Sequence, residues 1–418
     1  MNGAFSWVFL AALAAATGTR LWLAARQARH VRAHRDGVPD AFAGAIPVDA
    51  HRKAADYTVA KTRLGMAETG LSVALLLMLT FGGLLQWMSD AWARVAPPFG
   101  VAHGVLLIVS VVVLLAAAEL PLTLYRTFGV EARFGFNRMT PALFAVDLAK
   151  QAAVSAALGV PLLALVLWLM ARMGELWWLW VWAAWTGFNL LMLVLYPTLI
   201  APLFNRFSPL ADEGLARRIE ALLARCGFRS SGLYVMDGSK RSSHGNAYFT
   251  GFGAAKRIVF FDTLLSRLAP AEVEAVLAHE LGHFKRHHVW KRVALLFGAS
   301  LAMLWGLGRL IDQPWFYEGL GVATMSTATA LLLFVLALPA FTFFLQPLAS
   351  LLSRRHEFEA DAYAASHASA DELVRALVKL YQDNAATLTP DPVHSAFYDS
   401  HPPAAARISR LASLPRPA

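Results

Sequence analysis

Residues 270–311 read PAEVEAVLAHELGHFKRHHVWKRVALLFGASLAMLWGLGRLI, and this stretch decides which kind of fold the chain can adopt. Its first half opens with Pro270, a residue favoured in the first turn of a helix, and continues with the spacing of an amphipathic helix. Its second half, 292–312, is apolar over about the 20 residues that a membrane span requires. We therefore expect a helix with titratable side chains to run straight into a membrane span, from Pro270 to about Ile311.

The composition of the whole chain is typical of a membrane protein. The 418 residues are 57% hydrophobic, where a soluble protein has about 45–50%, and 16% charged, where about 25% is usual. These values exclude an average soluble enzyme, a disordered chain and a fibrous protein. The chain has one cysteine, Cys226, which excludes an intramolecular disulfide and a cysteine-rich zinc site.

Several segments are long and apolar enough to cross a bilayer. There are seven of them: 4–25, 66–92, 101–125, 151–172, 176–203, 292–312 and 322–350. Met1 to Trp7 carries no positive charge, so the first segment is not predicted to be a cleavable signal peptide. The predicted fold class is mainly α-helical and polytopic, with about seven transmembrane helices.

The basic residues indicate how the chain is oriented in the membrane. Lys and Arg number 37 against 28 Asp and Glu, a formal net charge of +9 that in a soluble protein would suggest nucleic acid. In a membrane protein the same excess marks cytoplasmic loops, so no nucleic-acid partner is expected. Loop 26–65 carries eight basic residues against four Asp, whereas 313–321 carries none. We expect the N-terminus outside, and the C-terminus and the polar segments 204–291 and 351–418 inside.

The polar segments are predicted to fold into a small α+β domain. Residues 212–225 have helical periodicity. Three short runs rich in β-branched and aromatic residues are typical of strands: 232–237, 246–250 and 257–262. The chain is predicted to divide into 1–203 with transmembrane helices 1–5 and their cytoplasmic loops, 204–291 with the first portion of the α+β domain, 292–350 with transmembrane helices 6–7, and 351–418 with its second portion.

His279, Glu280 and His283 form an H-E-x-x-H motif on the predicted helix. The histidines are four residues apart, so their imidazoles project from one face and suit two corners of a tetrahedral zinc site. Glu280 lies beside the first histidine, where its carboxylate can take a proton from an attacking water. The motif is short and also arises by chance, in which case the histidines would only cap a solvated helix face.

The third ligand distinguishes classes of zinc protease. A metzincin has a histidine six residues after His283, and this chain has Val289 there, which excludes that class. Glu357 follows the last predicted span and would complete the His₂Glu set of thermolysin-type sites. Asp361, one helical turn further on, is placed to hydrogen-bond a ligand histidine.

Most of the other titratable residues near these motifs are not expected to bind the metal. Three ligands on one straight helix chelate poorly, so His287 and His288 are expected to be solvated or to lie at the membrane interface. Glu359 is expected at the surface, because its spacing turns it away from Glu357. His356 is left as an alternative third ligand.

Several motifs, in order along the chain, resemble those of the integral-membrane zinc metalloproteases of the CAAX prenyl protease family. They are FGFN at 134–137, YPTLIAPLFNRFSPL at 196–210, SHGNAYFTGFGAAKRIVFFD at 243–262, VLAHELGHFKRHH at 276–288, SRRHEFEADAYA at 353–364 and HSAFYDSHPP at 394–403. The resemblance covers nearly the whole chain. It implies an α-barrel of seven transmembrane helices around a water-filled chamber, with one zinc ion per chain in a zinc-protease domain on the cytoplasmic side.

The resemblance also implies roles for residues around the scissile bond. It implies a strand edge, from Asn246 to Thr250, that receives an extended peptide by β-augmentation. By position in the motifs, Asn246 and His401 match donors that polarise the carbonyl or hold the oxyanion, and Arg407 matches a residue that orients the glutamate motif or the substrate. From the residues alone, Asn246 is as well explained as a turn residue, His401 as a helix cap and Arg407 as a surface base.

The predicted function is zinc-dependent endopeptidase activity near the C-terminus of lipidated or membrane-associated proteins. The family name implies CAAX-type proteolysis of a prenylated tail. The composition, rich in Ala, Arg and Leu, favours a bacterial inner-membrane protein, for which quality control of membrane proteins is the broader role. Membrane lipid and a peptide or protein are the expected partners, and no oligomeric state is predicted.

Two alternatives belong to other functional classes. Seven spans with Glu119, Arg126 and Asn189 inside them would also suit a transporter. A transporter needs no general base between two metal ligands, however, and the spans show no paired halves. The other alternative is a catalytically inactive zinc-binding scaffold.

Overall fold

The computed structural model describes residues 3–250 and 255–414, and helices dominate these segments of the chain. In chain order they are α1 (Ala4–Ala33), α2 (Val48–Leu79), α3 (Leu84–Trp92), α4 (Val101–Leu124), α5 (Pro141–Arg172), α6 (Trp177–Leu195), α7 (Ala201–Phe204), α8 (Glu213–Arg225), α9 (Asp262–Leu265), α10 (Pro270–Lys285), α11 (His288–Leu310), α12 (Pro314–Glu318), α13 (Thr327–Thr342), α14 (Gln346–His367), α15 (Ala370–Asp383), α16 (Pro392–Tyr398) and α17 (Ala404–Ala412).

Seven helical stretches among the described residues are long and apolar enough to cross a membrane. Short turns of 3₁₀- or π-helix join neighbouring helices in some of them. The stretches are Ala4–Ala33, Val48–Leu79, Val101–Glu131, Pro141–Arg172, Gly174–Phe204, His288–Leu310 and Thr327–His367. In each of the first six stretches, at most 22% of the most apolar 18-residue segment is buried inside the protein. Most of their apolar surface therefore faces outward, where lipid can cover it.

The second span differs from its prediction. Predicted segment 66–92 covers portions of two helices, because α2 ends at Leu79 and α3 begins at Leu84. Gly83 between them has φ of 72°, in the left-handed region that glycine adopts without steric cost. The observed span therefore uses the earlier, more polar residues from Val48 onward.

The helix that begins at Pro270 does not run unbroken into the membrane, contrary to the prediction. α10 ends at Lys285 and α11 begins at His288. His287 between them has φ of 57°, a left-handed conformation that interrupts a right-handed helix. His287 therefore does not continue the face on which the H-E-x-x-H histidines lie.

The described residues also form a small sheet, with strands β1 (Phe207–Pro209), β2 (Arg229–Met236), β3 (Ala247–Thr250) and β4 (Ala255–Phe261). Its order is β1-β2-β4-β3, with β2 parallel to β4 and the other two pairs antiparallel. Three of the strands overlap the predicted runs, whereas β1 is too short to give a signal. β3 forms one edge of the sheet, so its outer side can accept another strand.

The segments on either side of the last two spans share one apolar core. It contains Leu222 of α8, Phe260 of β4 and Leu281 of α10, together with Tyr363 of α14 and Leu377 of α15. A separate core holds the transmembrane helices together. Burial of apolar side chains from both segments thus fixes α10 against α14, and these two helices carry the residues of the metal motif.

Candidate metal centre

Three potential metal ligands converge where α10 packs against α14. His279 and His283 lie one turn apart on α10, and their Nε2 atoms are 3.2 Å apart. Glu357 on α14 places Oε2 3.4 Å from the Nε2 of His279, and Oε1 3.4 Å from the Nε2 of His283. The three ligand atoms lie within 4.8 Å of one another. The structure thus brings together the three residues for which the sequence predicts zinc binding.

The spacing of these atoms fits a tetrahedral zinc ion. Zinc–ligand bonds of about 2.1 Å at tetrahedral angles place ligand atoms about 3.4 Å apart. The measured separations are 3.2 and 3.4 Å. Oε2 of Glu357 is also buried and accepts no hydrogen bond among the described residues, although Nη1 of Arg407 lies 3.5 Å from it. A buried carboxylate oxygen that lacks a hydrogen bond can take a metal ion in its place, so this donor set fits a metal ion.

Gly282 allows α10 and α14 to approach this closely. A Cβ added at this position would lie 3.0 Å from the Cα of Ala360 and 3.1 Å from the Cβ of Tyr363. These atoms belong to or adjoin the backbone of α14 and cannot rotate away. A side chain at this position would therefore push apart the contact that brings Glu357 to the histidines.

Replacing Gly282 with Ala is expected to lower the free energy of unfolding by about 1–3 kcal/mol, the usual cost of overpacking. Zinc binding should weaken as well, because the methyl group pushes α14 and Glu357 away from α10. The matched control is Gly298→Ala on α11, where an added Cβ meets no atom within 4 Å. Thermal melting in detergent and zinc titration measure both effects. Equal melting temperatures for the two variants would contradict this account of Gly282.

Asp361 and Arg407 hold the ring of His279 in place. The Nδ1 of His279 lies 2.8 Å from Oδ1 of Asp361, so its N–H donates to the carboxylate and Nε2 stays available to a metal. Arg407 on α17 donates to both oxygens of Asp361, at 2.9 Å from Nε and 2.6 Å from Nη2. Burial lowers the pKa of His279, but the neighbouring carboxylates of Asp361 and Glu357 outweigh burial and raise that pKa to about 9. A metal ion at Nε2 therefore competes with a proton.

Glu280 lines a cavity beside the ligands. The cavity has a volume of about 590 Å³, and its walls include His283, Glu357, His401 and residues of β3. The Nε2 of His401 is 3.4 Å from Oε1 of Glu357, and its Nδ1 is 3.0 Å from Oγ of Ser400. Partial desolvation lowers the pKa of His401, which favours its neutral ring. When Ser400 donates to Nδ1, the ring proton is on Nε2 and faces the ligands.

Asn246 lies on the wall of a neighbouring cavity. This second cavity has a volume of about 1010 Å³ and shares Tyr248 of β3 with the first. Oδ1 of Asn246 accepts a hydrogen bond of 2.8 Å from the backbone N–H of Ala247, and the amide nitrogen of the side chain is a donor. Of the two predicted oxyanion donors, His401 therefore lies beside the ligands and Asn246 lies next to the strand edge.

His288 is not the solvated residue that the sequence suggests, whereas Glu359 is partly exposed and pairs with the exposed Arg355. His288 is 1% exposed, and its Nε2 lies 3.0 Å from Oε2 of Glu359. His356, the alternative third ligand, stacks on His288 with ring centroids 4.0 Å apart and is not one of the three converging ligands. His287, in contrast, is exposed as expected. Sequence reasoning missed this arrangement because it depends on the break between α10 and α11.

Comparison with known proteins gives the family. The family described as CAAX prenyl protease N-terminal, five membrane helices, matches residues 27–206, and peptidase family M48 matches residues 209–414. The chain belongs to peptidase family M48. The CAAX prenyl protease 1 homolog of Arabidopsis thaliana is 32% identical over 381 residues, which are 90% of each chain. The CAAX prenyl protease 1 of Saccharomyces cerevisiae is 36% identical over 70% of this chain and 68% of that protein.

A solved structure shares the fold of this M48 peptidase. The crystal structure of S. mikatae Ste24p superimposes with a TM-score of 0.90 at 29% identity, covering 98% of this chain and 99% of that one. The predicted fold class is therefore confirmed: a mainly helical, multi-pass membrane protein with a small α+β domain. As a member of M48, the chain is a membrane metalloendopeptidase that acts on a peptide or protein, and the family metal is generally zinc. Because the chain belongs to a peptidase family, the alternative that its seven spans form a transporter does not apply.

Proposed function

We propose that this M48 peptidase uses one zinc ion to cleave prenylated proteins near the C-terminal Cys-a-a-X sequence. The observation that carries the proposal is the convergence of His279, His283 and Glu357 beside a cavity bordered by β3, with Glu280 on its wall. The relatives from Arabidopsis thaliana and Saccharomyces cerevisiae, both named as CAAX prenyl proteases, support this class of substrate.

In the proposed reaction, an extended peptide pairs with the open edge of β3. The three ligand residues hold zinc, which when bound acts as a Lewis acid on the scissile carbonyl. Glu280 takes a proton from the attacking water, whose oxygen bonds to the carbonyl carbon, and gives it to the leaving nitrogen as the C–N bond breaks. The Nε2–H of His401 and the side-chain amide of Asn246 donate to the carbonyl oxygen as negative charge develops there. Arg407 holds Asp361, which orients the ligand His279, and its Nη1 also lies 3.5 Å from Oε2 of the ligand Glu357.

We also propose that 204–291 and 351–418 form one catalytic domain on the cytoplasmic side, attached to the membrane-embedded segment 1–203 and interrupted by the spans of 292–350. The shared apolar core and the continuous match to M48 support a single domain. The basic loop 26–65 supports the cytoplasmic placement. A bacterial inner membrane stays a prediction from composition, which the plant and yeast relatives do not support.

The test is cleavage of a farnesylated Cys-a-a-X peptide and of its unlipidated counterpart by the purified protein in detergent. We expect cleavage that a chelator abolishes and added zinc restores. The farnesylated peptide should have the higher kcat/KM by about tenfold or more, because burial of only two CH₂ groups contributes about 1.6 kcal/mol. Equal kcat/KM values for the two peptides would mean that the enzyme does not recognise the prenyl group, and would favour general clearance of membrane proteins instead. Failure of the zinc-loaded protein to cleave either peptide would contradict the proposed function.

A further inference from the structure

His288 is a buried histidine at the start of α11 that the proposed reaction does not use. Its Nδ1 lies 3.1 Å from the Nδ1 of the metal ligand His283. Its Nε2 lies 3.0 Å from Oε2 of Glu359 on α14. The left-handed conformation of His287 ends α10 and starts α11 at the point where the ring of His288 contacts that of His283. A line of three side chains thus runs from the metal centre to a carboxylate.

With a metal ion held at Nε2 of His283, only one arrangement of protons on neutral rings satisfies every contact along this line. The Nε2 of His283 faces Glu357 and the other ligand histidine, where that metal would bind, so the proton of its neutral ring would be on Nδ1. The Nδ1 of His288 must then accept that proton in a hydrogen bond, which leaves the ring proton of His288 on Nε2. That N–H faces Glu359, whose other oxygen accepts a hydrogen bond from Arg355 at 3.1 Å.

Because of its helical geometry, α14 supplies one carboxylate for each of the two ligand histidines. Residues two apart on a helix differ by about 200° around its axis, and residues four apart by about 40°. Asp361 therefore lies near the face of Glu357 and reaches His279 directly, at 2.8 Å. Glu359 lies on another face of α14 and reaches His283 through His288.

We propose that His288 and Glu359 are positioning residues for the metal ligand His283. The inference rests on the proposed zinc site and deepens it. Glu359 orients His288, and His288 fixes the ring angle and the tautomer of His283, as Asp361 does for His279. A carboxylate connected to a ligand histidine also makes the ligand a stronger electron donor to the metal. Each of the two histidine ligands of the site thus has its own hydrogen-bonded carboxylate.

The experiment measures the zinc Kd of the metal-free protein in detergent, by competition with a chromophoric chelator. His288→Phe keeps a ring to stack on His356 but removes both nitrogens, and should raise the zinc Kd about 10- to 100-fold. His288→Asn places an amide oxygen near the former Nδ1 and should recover much of that loss. Glu359→Ala should raise the zinc Kd by less than His288→Phe.

A matched control separates this effect from the loss of any buried histidine. His103 on α4 is 2% exposed, and its Nε2 lies 2.9 Å from the backbone oxygen of Ser89. His103→Phe should leave the zinc Kd unchanged. Cobalt substitution adds a second measurement, because the visible absorption bands of bound Co²⁺ should shift in His288→Phe and stay unchanged in His103→Phe.

Three results would overturn the proposal. They are a zinc Kd within twofold of wild type in His288→Phe, no recovery in His288→Asn relative to His288→Phe, and a wild-type Kd in Glu359→Ala. Should His288→Phe fail to fold, Glu359→Ala decides: a raised zinc Kd supports the proposal and a wild-type Kd overturns it. None of these measurements requires peptide cleavage, so they stand if the CAAX substrate class is wrong. A wild-type protein that binds no zinc would instead refute the metal site itself.

Discussion

Replacing Glu280 with Gln is expected to lower the rate of peptide cleavage by about 10²- to 10⁴-fold, the usual contribution of a general base, and to leave zinc bound. Glu280 follows the ligand His279 on α10, but it lines the cavity and is not one of the three converging ligands. Glutamine has nearly the same shape and cannot accept the proton of the attacking water. The measurement is kcat/KM on a fluorogenic peptide, with bound zinc determined on the same samples.

The matched control for this prediction is Glu220→Gln, on the exposed face of α8. It makes the same chemical change away from the cavity and should keep full activity. An active Glu280→Gln would mean that another group takes the proton. An inactive variant that has also lost its zinc would mean that Glu280 supports the metal site rather than the proton transfer.

The placement of the metal ligands could be predicted from the sequence because it follows a local rule. His279 and His283 are four residues apart, and so are Glu357 and Asp361, so each pair shares a face of its helix wherever the helix lies. The apolar spans are equally local, since length and composition alone identify them. The sequence could not show that α10 meets α14 through Gly282, because a glycine inside a helix is compatible with many environments.

The features that the sequence did not predict depend on backbone conformation or on distant contacts. His287 adopts a φ of 57°, which is uncommon for a residue other than glycine. No residue pattern in the sequence predicts it. The burial of His288 follows from that break and from its contact with Glu359 on another helix. Similarly, α2 continues through polar residues back to Val48, where hydropathy carries no signal.

Replacing Arg407 with Met is expected to lower the free energy of unfolding by about 3–5 kcal/mol, because removing one partner of a buried ion pair leaves the other charge uncompensated. Arg407 is buried and donates to both oxygens of Asp361. Methionine keeps much of the apolar stem, so the change mainly removes the charge. Arg410→Met is the control: it lies exposed on the same helix, over the ring of Phe358, and should cost only about 0.5–1 kcal/mol. The melting temperature in detergent measures the difference.

The double variant Asp361→Asn with Arg407→Met separates the two roles of this pair. Removing both charges leaves neither one stranded, and zinc compensates the carboxylate of Glu357, which lies 3.5 Å from Nη1 of Arg407. The melting temperature of the zinc-loaded protein should therefore recover most of the loss seen in Arg407→Met. Zinc affinity should not recover, because a neutral amide replaces the carboxylate that orients His279, and the zinc Kd should stay about tenfold or more above wild type. If both the melting temperature and the zinc Kd return to wild-type values, Asp361 stabilises the packing of α17 without orienting the ligand. If neither returns, the apolar stem of Arg407, rather than its charge, holds α17 against α14.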